Sequence, residues 1–153
     1  MNGKPMSLKT FFVQSALCSG CRLCQLVCSV AKEGIVNPEL SRVFVNRIIM
    51  DGVMLPCICL NCEEPPCIPA CHRKAINKDP DTGWVTIDYE RCTHCQLCIP
   101  ACPYGGIFLG PQKEVLMCDV CGGDPACAMA CPTGALRFLS REIGTAGEHM
   151  PLS

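Results

Sequence analysis

Sixteen of the 17 cysteines in this chain fall into four groups of four. The repeat constrains the fold more than any other feature, because a 153-residue chain with five Phe, two Tyr and one Trp can bury only a modest core. Metal-centred cross-links would then have to supply part of the stability. The groups are Cys18, Cys21, Cys24 and Cys28; Cys59, Cys62, Cys67 and Cys71; Cys92, Cys95, Cys98 and Cys102; and Cys118, Cys121, Cys127 and Cys131.

Three kinds of chemistry use cysteine at this density: disulfides, zinc sites and iron–sulfur clusters. Disulfides need an oxidising compartment. Residues 1–14 have neither the apolar run of a secretory signal nor a twin-arginine pair, and an odd number of thiols cannot all pair within one chain. We therefore expect reduced cysteines and a cytoplasmic location.

The third group, CTHCQLCIPACP at residues 92–103, matches the run Cys-x-x-Cys-x-x-Cys-x-x-x-Cys-Pro that binds [4Fe–4S] clusters in bacterial ferredoxins. Three thiols on one tight loop reach three iron atoms, and the fourth thiol ligates the neighbouring cluster of a pair. A zinc site would use two Cys-x-x-Cys pairs with a longer spacer, whereas here three ligands lie within seven to ten residues. The spacing predicts four [4Fe–4S] clusters on the sixteen cysteines. A structural zinc protein is the alternative, which an iron and sulfide analysis would decide.

The second and fourth groups have wider loops, with four and five residues before the third cysteine. Either the loop length has drifted or these loops face a neighbouring protein, and both interpretations stay open. Cys57 lies outside the groups and is interpreted as a buried thiol near a cluster rather than a ligand. His94 lies inside the third loop, where four cysteines already supply the ligands, so a neighbouring or surface role is expected.

Short strands and turns separate the cysteine groups. Three hairpins are predicted, at residues 42–50 with 53–55, 75–76 with 84–87, and 107–109 with 115–117. Residues 140–153 contain no cysteine and are expected to form a tail.

Several function classes are disfavoured. No stretch approaches the roughly 20 apolar residues of a membrane-spanning helix, so direct membrane insertion is not expected. The net charge of −1 comes without a basic stripe, which argues against nucleic acid as a partner. No phosphate loop, dinucleotide fingerprint or zinc-protease helix is visible, so we expect a non-catalytic protein.

Residues 12–139, which include these motifs, resemble the four-cluster iron–sulfur subunits of oxidoreductases. The stretch CSGCRLCQLVCSVAKEGIVNPELSRV, residues 18–43, is similar to the opening of the subunits that accompany tungsten aldehyde oxidoreductases and the related benzoyl-CoA reductases. The stretch CDVCGGDPACAMACPTGAL, residues 118–136, resembles their last motif. Two positions depart from the pattern, because Ser29 follows Cys28 and His72 follows Cys71 where Pro is expected.

The resemblance implies an α+β fold of tandem bacterial-ferredoxin-like modules, each with two [4Fe–4S] clusters, short hairpins, short helices and little regular secondary structure. The polyferredoxin domain would cover residues 1–139. Module one is expected at about residues 10–34 plus 112–139, module two at about 55–111, and a hairpin insert at about 42–55.

In that family the cysteine groups cross-pair. Carried over to this sequence, the ligand sets are Cys18, Cys21, Cys24 with Cys131; Cys118, Cys121, Cys127 with Cys28; Cys59, Cys62, Cys67 with Cys102; and Cys92, Cys95, Cys98 with Cys71.

The resemblance also implies an electron-transfer subunit of anaerobic metabolism bound to a large catalytic oxidoreductase, with a tungsto- or molybdopterin enzyme favoured. A flavin- or NAD-linked subunit or a ferredoxin is expected as the other electron partner, and self-stacking of several copies stays open. The alternatives are a free-standing polyferredoxin shuttle and the electron-transfer subunit of a hydrogenase, formate dehydrogenase or carbon monoxide dehydrogenase complex.

Overall fold

The computed structural model describes residues 9–48 and 50–140. Within these ranges the chain forms four two-stranded antiparallel sheets and four α-helices. The strands are β1 (Lys9–Val13), β2 (Val43–Ile48), β3 (Val53–Ile58), β4 (Ile76–Lys78), β5 (Val85–Ile87), β6 (Ile107–Leu109), β7 (Val115–Met117) and β8 (Leu136–Ser140). The helices are α1 (Leu23–Glu33), α2 (Cys67–Ala70), α3 (Cys98–Ala101) and α4 (Ala126–Ala130). Small sheets and short helices with little regular secondary structure were the expectation, and they are confirmed.

The three predicted hairpins are present. Strands β2 and β3 pair from Val43 opposite Ile58 to Ile48 opposite Val53. Strands β4 and β5 form the second hairpin, and β6 and β7 form the third. The turn between β2 and β3 uses Gly52 at φ 66°, a conformation that glycine adopts without steric cost.

The fourth sheet joins the two ends of the described chain and was not predicted. Strand β1 pairs with β8 from Lys9 opposite Ser140 to Val13 opposite Leu136. The rings of Phe11 and Phe138 lie 5.0 Å apart between centroids across this pair. No local turn signals a pairing between strands so distant in sequence. Ser140, the first residue of the predicted tail, therefore belongs to β8, and residues 141–153 lie outside the described residues.

Helix α1 carries two cysteines of the first group on its buried face. Cys24 and Cys28 are four residues apart and so lie on the same side of the helix. The helix ends at Gly34, which has φ 72° and whose N–H donates to the Val30 carbonyl at 2.9 Å. Helix α1 continues through Cys28 to Glu33, and Ser29 occupies the place that Pro103 and Pro132 hold after the fourth cysteine of the third and fourth groups.

Cysteines make up a large part of the interior between the small sheets, as eight of the 26 buried hydrophobic residues in the described ranges. The third cysteine of each group is buried and lies at the start of a helix. These residues are Cys24, Cys67, Cys98 and Cys127. The largest fully buried side chain is Phe11, and most of the others in the core are Val, Ile and Leu. Few aromatic contacts are available, so the space between the sheets is organised around the sulfurs.

Among residues 9–48 and 50–140, no helix is both long enough and apolar enough to cross a bilayer.

Candidate metal centres

All four cysteine loops share one backbone feature. The residue before the second cysteine has a left-handed conformation, with φ of 72° at Gly20, 51° at Asn61, 53° at His94 and 63° at Val120. Glycine adopts this conformation freely, and Asn and His are enriched in it, but a β-branched residue such as Val120 is strained there. Because Val120 is fully buried, packing around its side chain holds it in place.

This left-handed residue turns its N–H toward the sulfur of the first cysteine. The N–H of His94 donates to Cys92 Sγ at 3.4 Å, and that of Val120 donates to Cys118 Sγ at 3.3 Å. Gly20 and Asn61 make the corresponding bonds to Cys18 and Cys59 and thereby oppose the rise in the pKa of those thiols. An N–H bond to sulfur stabilises the thiolate, which is the form that binds a metal.

The fourth cysteine of each group also accepts a backbone bond. The N–H groups of Ala75 and Gly106 donate to Cys71 and Cys102, each at 3.3 Å from nitrogen to Sγ. Cys131 accepts bonds from residues just after it, and these lower its pKa although partial burial opposes them. Cys28 lies within α1, so its partner is the more distant Arg42, whose N–H donates at 3.2 Å.

The buried thiols have raised pKa values. Burial is the main cause, and it brings the pKa of Cys24 to about 11 and that of Cys59 to about 12, with repulsion from neighbouring sulfurs adding to the rise. Burial likewise raises the pKa of Cys118 and Cys127. A cation that binds these sulfurs as thiolates would compensate the charges that burial disfavours.

One sulfur from outside each loop also contributes to the raised pKa of a cysteine in that loop. In every loop the neighbouring sulfurs include the fourth cysteine of a different group. That cysteine is Cys131 for the first loop, Cys102 for the second, Cys71 for the third and Cys28 for the fourth.

At the third loop the sulfurs surround a small cavity. Its lining includes all three loop cysteines, Cys92, Cys95 and Cys98, together with Cys71. The wall is otherwise mainly apolar, with Ile76 among the residues that line it. Four thiols around one cavity, with backbone N–H groups aimed at the sulfurs, are a donor set that fits a [4Fe–4S] cluster. Among the described residues, no three His, Cys, Asp or Glu side chains are arranged to hold a single metal ion.

Three further repulsions connect sulfurs of different loops. Cys24 of the first loop adds to the raised pKa of Cys127 in the fourth, and Cys59 of the second adds to that of Cys118 in the fourth. Cys98 of the third loop acts on Cys67 of the second. Loop one therefore neighbours loop four, loop four neighbours loop two, and loop two neighbours loop three.

His94 and Cys57 have partners within the protein. The Val115 N–H donates to His94 Nδ1 at 3.0 Å, and the imidazole stacks on Tyr89 with 6.3 Å between ring centroids. Cys57 is buried, and its sulfur accepts a bond from the Asn46 amide at 3.4 Å. Burial is the main cause of the raised pKa of Cys57, and the sulfur of Cys102 adds to it, so this thiol lies near Cys102.

Two lysines that the sequence reasoning missed bind directly to cysteine loops. Lys32 Nζ lies 2.6 Å from an Asp119 carboxylate oxygen in the fourth loop. Lys78 Nζ donates to the carbonyls of Cys62 and Glu63 in the second loop, at 2.9 and 2.6 Å. Both lysines are separated from their loops in sequence, so no local motif could have identified them.

The sequence matches two families of iron–sulfur domains. Residues 50–141 match the 4Fe-4S dicluster domain, and residues 15–31 match a 4Fe-4S binding domain. Together the two matches include all four cysteine groups.

Relatives with similar sequences include subunits of oxidoreductases and an electron transport protein. The polyferredoxin-like subunit of aliphatic sulfonate oxidoreductase from Pyrococcus furiosus is 41% identical over 74% of this chain and 66% of its own length. The beta subunit of NADH-dependent phenylglyoxylate dehydrogenase from Aromatoleum evansii is 35% identical over 86% of this chain and 30% of its own. The electron transport protein HydN from Escherichia coli is 32% identical over 81% of this chain and 83% of its own. The chain thus spans less than two thirds of the length of the first two relatives.

A solved structure with a similar fold is the active site complex BamBC of benzoyl coenzyme A reductase with benzoyl-CoA. The matched chain is 26% identical, with a TM-score of 0.52 over 87% of this chain and 80% of that one.

Proposed function

The chain belongs to the 4Fe-4S dicluster domain family, and from this we propose that it is an electron-transfer subunit that carries four [4Fe–4S] clusters within a larger oxidoreductase. The observation that carries the proposal is the repeated loop geometry. Each of the four loops carries three cysteines and has a backbone N–H group that points at the sulfur of the first cysteine. A fourth cysteine, from another group, lies near each loop.

We assign the ligand sets by cross-pairing. The sets are Cys18, Cys21, Cys24 with Cys131; Cys118, Cys121, Cys127 with Cys28; Cys59, Cys62, Cys67 with Cys102; and Cys92, Cys95, Cys98 with Cys71. The repulsions between sulfurs support each set, and the cavity at the third loop supports the last. Two tandem modules follow, one from the first and fourth groups and the other from the second and third. The sheet of β1 and β8 would close the first module.

The neighbouring loops suggest a linear path for electrons. In the order one, four, two and three, the clusters of the first and third loops are the two ends. Each end loop has an exposed second cysteine, Cys21 or Cys95, whereas Cys62 and Cys121 of the inner loops are only half-exposed. We therefore propose that electrons enter and leave at the Cys21 and Cys95 ends.

This chain's own residues hold and insulate the clusters and perform no substrate chemistry. When bound, a [4Fe–4S] cluster supplies one-electron redox chemistry, and the protein sets how readily each cluster accepts the electron. The N–H groups of residues such as His94 and Val120 stabilise charge at sulfur, and the buried apolar residues exclude water from the loops.

A catalytic subunit is the proposed partner, with a tungsto- or molybdopterin oxidoreductase favoured. Support for a catalytic partner comes from the names of the relatives, which include subunits of a sulfonate oxidoreductase and a phenylglyoxylate dehydrogenase, and from the similarity to the benzoyl coenzyme A reductase complex. The pterin type is favoured by the resemblance of residues 18–43 and 118–136. A flavin- or NAD-linked subunit or a ferredoxin would complete the electron path. Cytoplasmic location stays a prediction from the sequence.

Anaerobic purification from the native source tests the proposal. We expect about four irons and four acid-labile sulfides for each of the four clusters, together with a large pterin-containing polypeptide. Zinc without sulfide would overturn the cluster assignment. A lone small protein with full iron content would instead favour a free-standing shuttle.

A further inference from the structure

The second cysteine loop is held from one side by the hairpin of β4 and β5. The Val85 N–H donates to the buried Asn61 side-chain oxygen at 2.8 Å, which fixes the left-handed residue of the loop. Lys78, directly opposite Val85 in the hairpin, extends to the loop's next two carbonyls, those of Cys62 and Glu63. The paired residues Lys78 and Val85 of the hairpin thus both bind the second loop, Val85 at Asn61 and Lys78 at the two carbonyls that follow.

The two contacts of Lys78 orient its charge without neutralising it. A carbonyl oxygen is a dipole, so the ammonium group keeps its full positive charge beside the second loop. The lysine side chain is half-buried, and Coulomb interactions at such a site are screened less than on an open surface. One-electron reduction adds one negative charge to the cluster, and a fixed positive charge nearby stabilises that product.

The fourth loop has a lysine in a different electrostatic setting. Lys32 pairs with the Asp119 carboxylate at 2.6 Å, and Asp119 also accepts the Cys121 N–H at 3.1 Å. The lysine and the aspartate together are neutral, so their combined field at the fourth loop is that of a dipole. The two lysines therefore differ in their observed partners, which are a carboxylate for Lys32 and two backbone carbonyls for Lys78.

We propose that Lys78 raises the reduction potential of the cluster held by Cys59, Cys62, Cys67 and Cys102 above the value that the same loop would give without it. The inference rests on the ligand sets and the electron path proposed above. Lys78 would then position the second loop and also favour reduction of the cluster that this loop holds. The Lys32–Asp119 pair leaves the fourth-loop cluster without such a shift.

The test is an EPR-monitored dithionite titration of the full chain, purified anaerobically, as wild type, Lys78→Gln and Lys78→Arg. Glutamine keeps an N–H donor at the end of its side chain but carries no charge, whereas arginine keeps the charge. We expect Lys78→Gln to retain full iron and sulfide and to move one of the four midpoint potentials to a more negative value. Lys78→Arg should leave all four close to the wild-type values.

The double variant Lys32→Gln with Asp119→Asn is the matched control, because it removes one positive and one negative charge at the fourth loop. It should leave the four potentials close to their wild-type values. Unchanged potentials in Lys78→Gln with full clusters, or an equal shift in Lys78→Arg, would overturn the role of the Lys78 charge. A wild-type chain with fewer than four clusters would contradict the proposed function instead.

Discussion

The backbone of Ile58 lies so close to Gly106 that a β-carbon at residue 106 would be 2.6 Å from the Ile58 carbonyl carbon and oxygen. Gly106 is the fourth residue after Cys102 and donates its N–H to that cysteine's sulfur. Ala75, at the same place after Cys71, makes the equivalent bond and is buried. Residue 75 has room for the methyl group of alanine. Residue 106 does not, because Ile58 at the end of β3 lies too close.

Replacement Gly106→Ala should therefore destabilise the protein. The new methyl group would collide with backbone, which cannot rotate away, and overpacking of this kind costs about 1–3 kcal/mol. The measurement is thermal unfolding of the cluster-loaded protein under anaerobic conditions. Ala75→Gly is the matched control and should cost about 1 kcal/mol or less. A Gly106→Ala protein that melts at the wild-type temperature would contradict the close approach.

Removal of the Cys57 thiol and removal of the Cys67 thiol should have different effects on the iron and sulfide content. Cys67→Ala takes away a proposed ligand, so iron and sulfide content should fall by about one quarter or more, the share of one cluster in four. Cys57→Ala removes a buried thiol that contacts the Asn46 amide, and the cluster content should stay at the wild-type level. Iron and sulfide analysis of both variants after anaerobic purification decides between ligand and neighbour. Loss of a cluster in Cys57→Ala would make this residue a ligand.

Removal of the clusters should unfold the chain. Many of the buried side chains are cysteines, and without metal their sulfurs leave a core of small aliphatic residues between two-stranded sheets. We expect chelation of the iron under anaerobic conditions to abolish both the cooperative thermal transition and resistance to limited proteolysis. Reconstitution with iron and sulfide should restore them. A protease-resistant metal-free chain would show that the protein core is sufficient by itself.

Cluster assembly should become more complete as the pH rises. Burial raises the pKa of Cys24 and Cys67 to about 11 and that of Cys59 to about 12, above the ordinary 9.0. In the folded arrangement without iron these thiols would be protonated below about pH 9, and the stability of that arrangement would fall as the pH rises through 11 to 12. Iron must displace those protons, so acid opposes binding and base favours it.

The yield of clusters should thus be higher at about pH 9 than at about pH 7, as followed by visible absorbance. Transfer of preformed clusters from a donor protein at each pH separates ligand deprotonation from the chemistry of free iron and sulfide. A transfer yield that is independent of pH would contradict the expected requirement for deprotonation of the thiols.

Much of the local structure could be predicted because its causes are local. Asp51-Gly52 and the Pro- and Gly-rich turns determine the three hairpins, and each lies within about 15 residues. The pairing of Lys9 with Ser140 had no such signal, since it depends on the whole chain returning to its start. The same holds for Lys32 with Asp119, a pair 87 residues apart.

The sequence alone determined the kind of metal centre, because the reach of three thiols around a cluster depends on the spacing within one loop. The number of cysteine groups, four with sixteen cysteines in all, is likewise determined by the sequence alone. Only the tertiary structure decided that the fourth loop lies beside the second, why Gly106 must lack a side chain, and where the charges of Lys32 and Lys78 fall. Those features depend on contacts between segments that are remote in sequence. Packing brings such segments together, and no local sequence motif predicts those contacts.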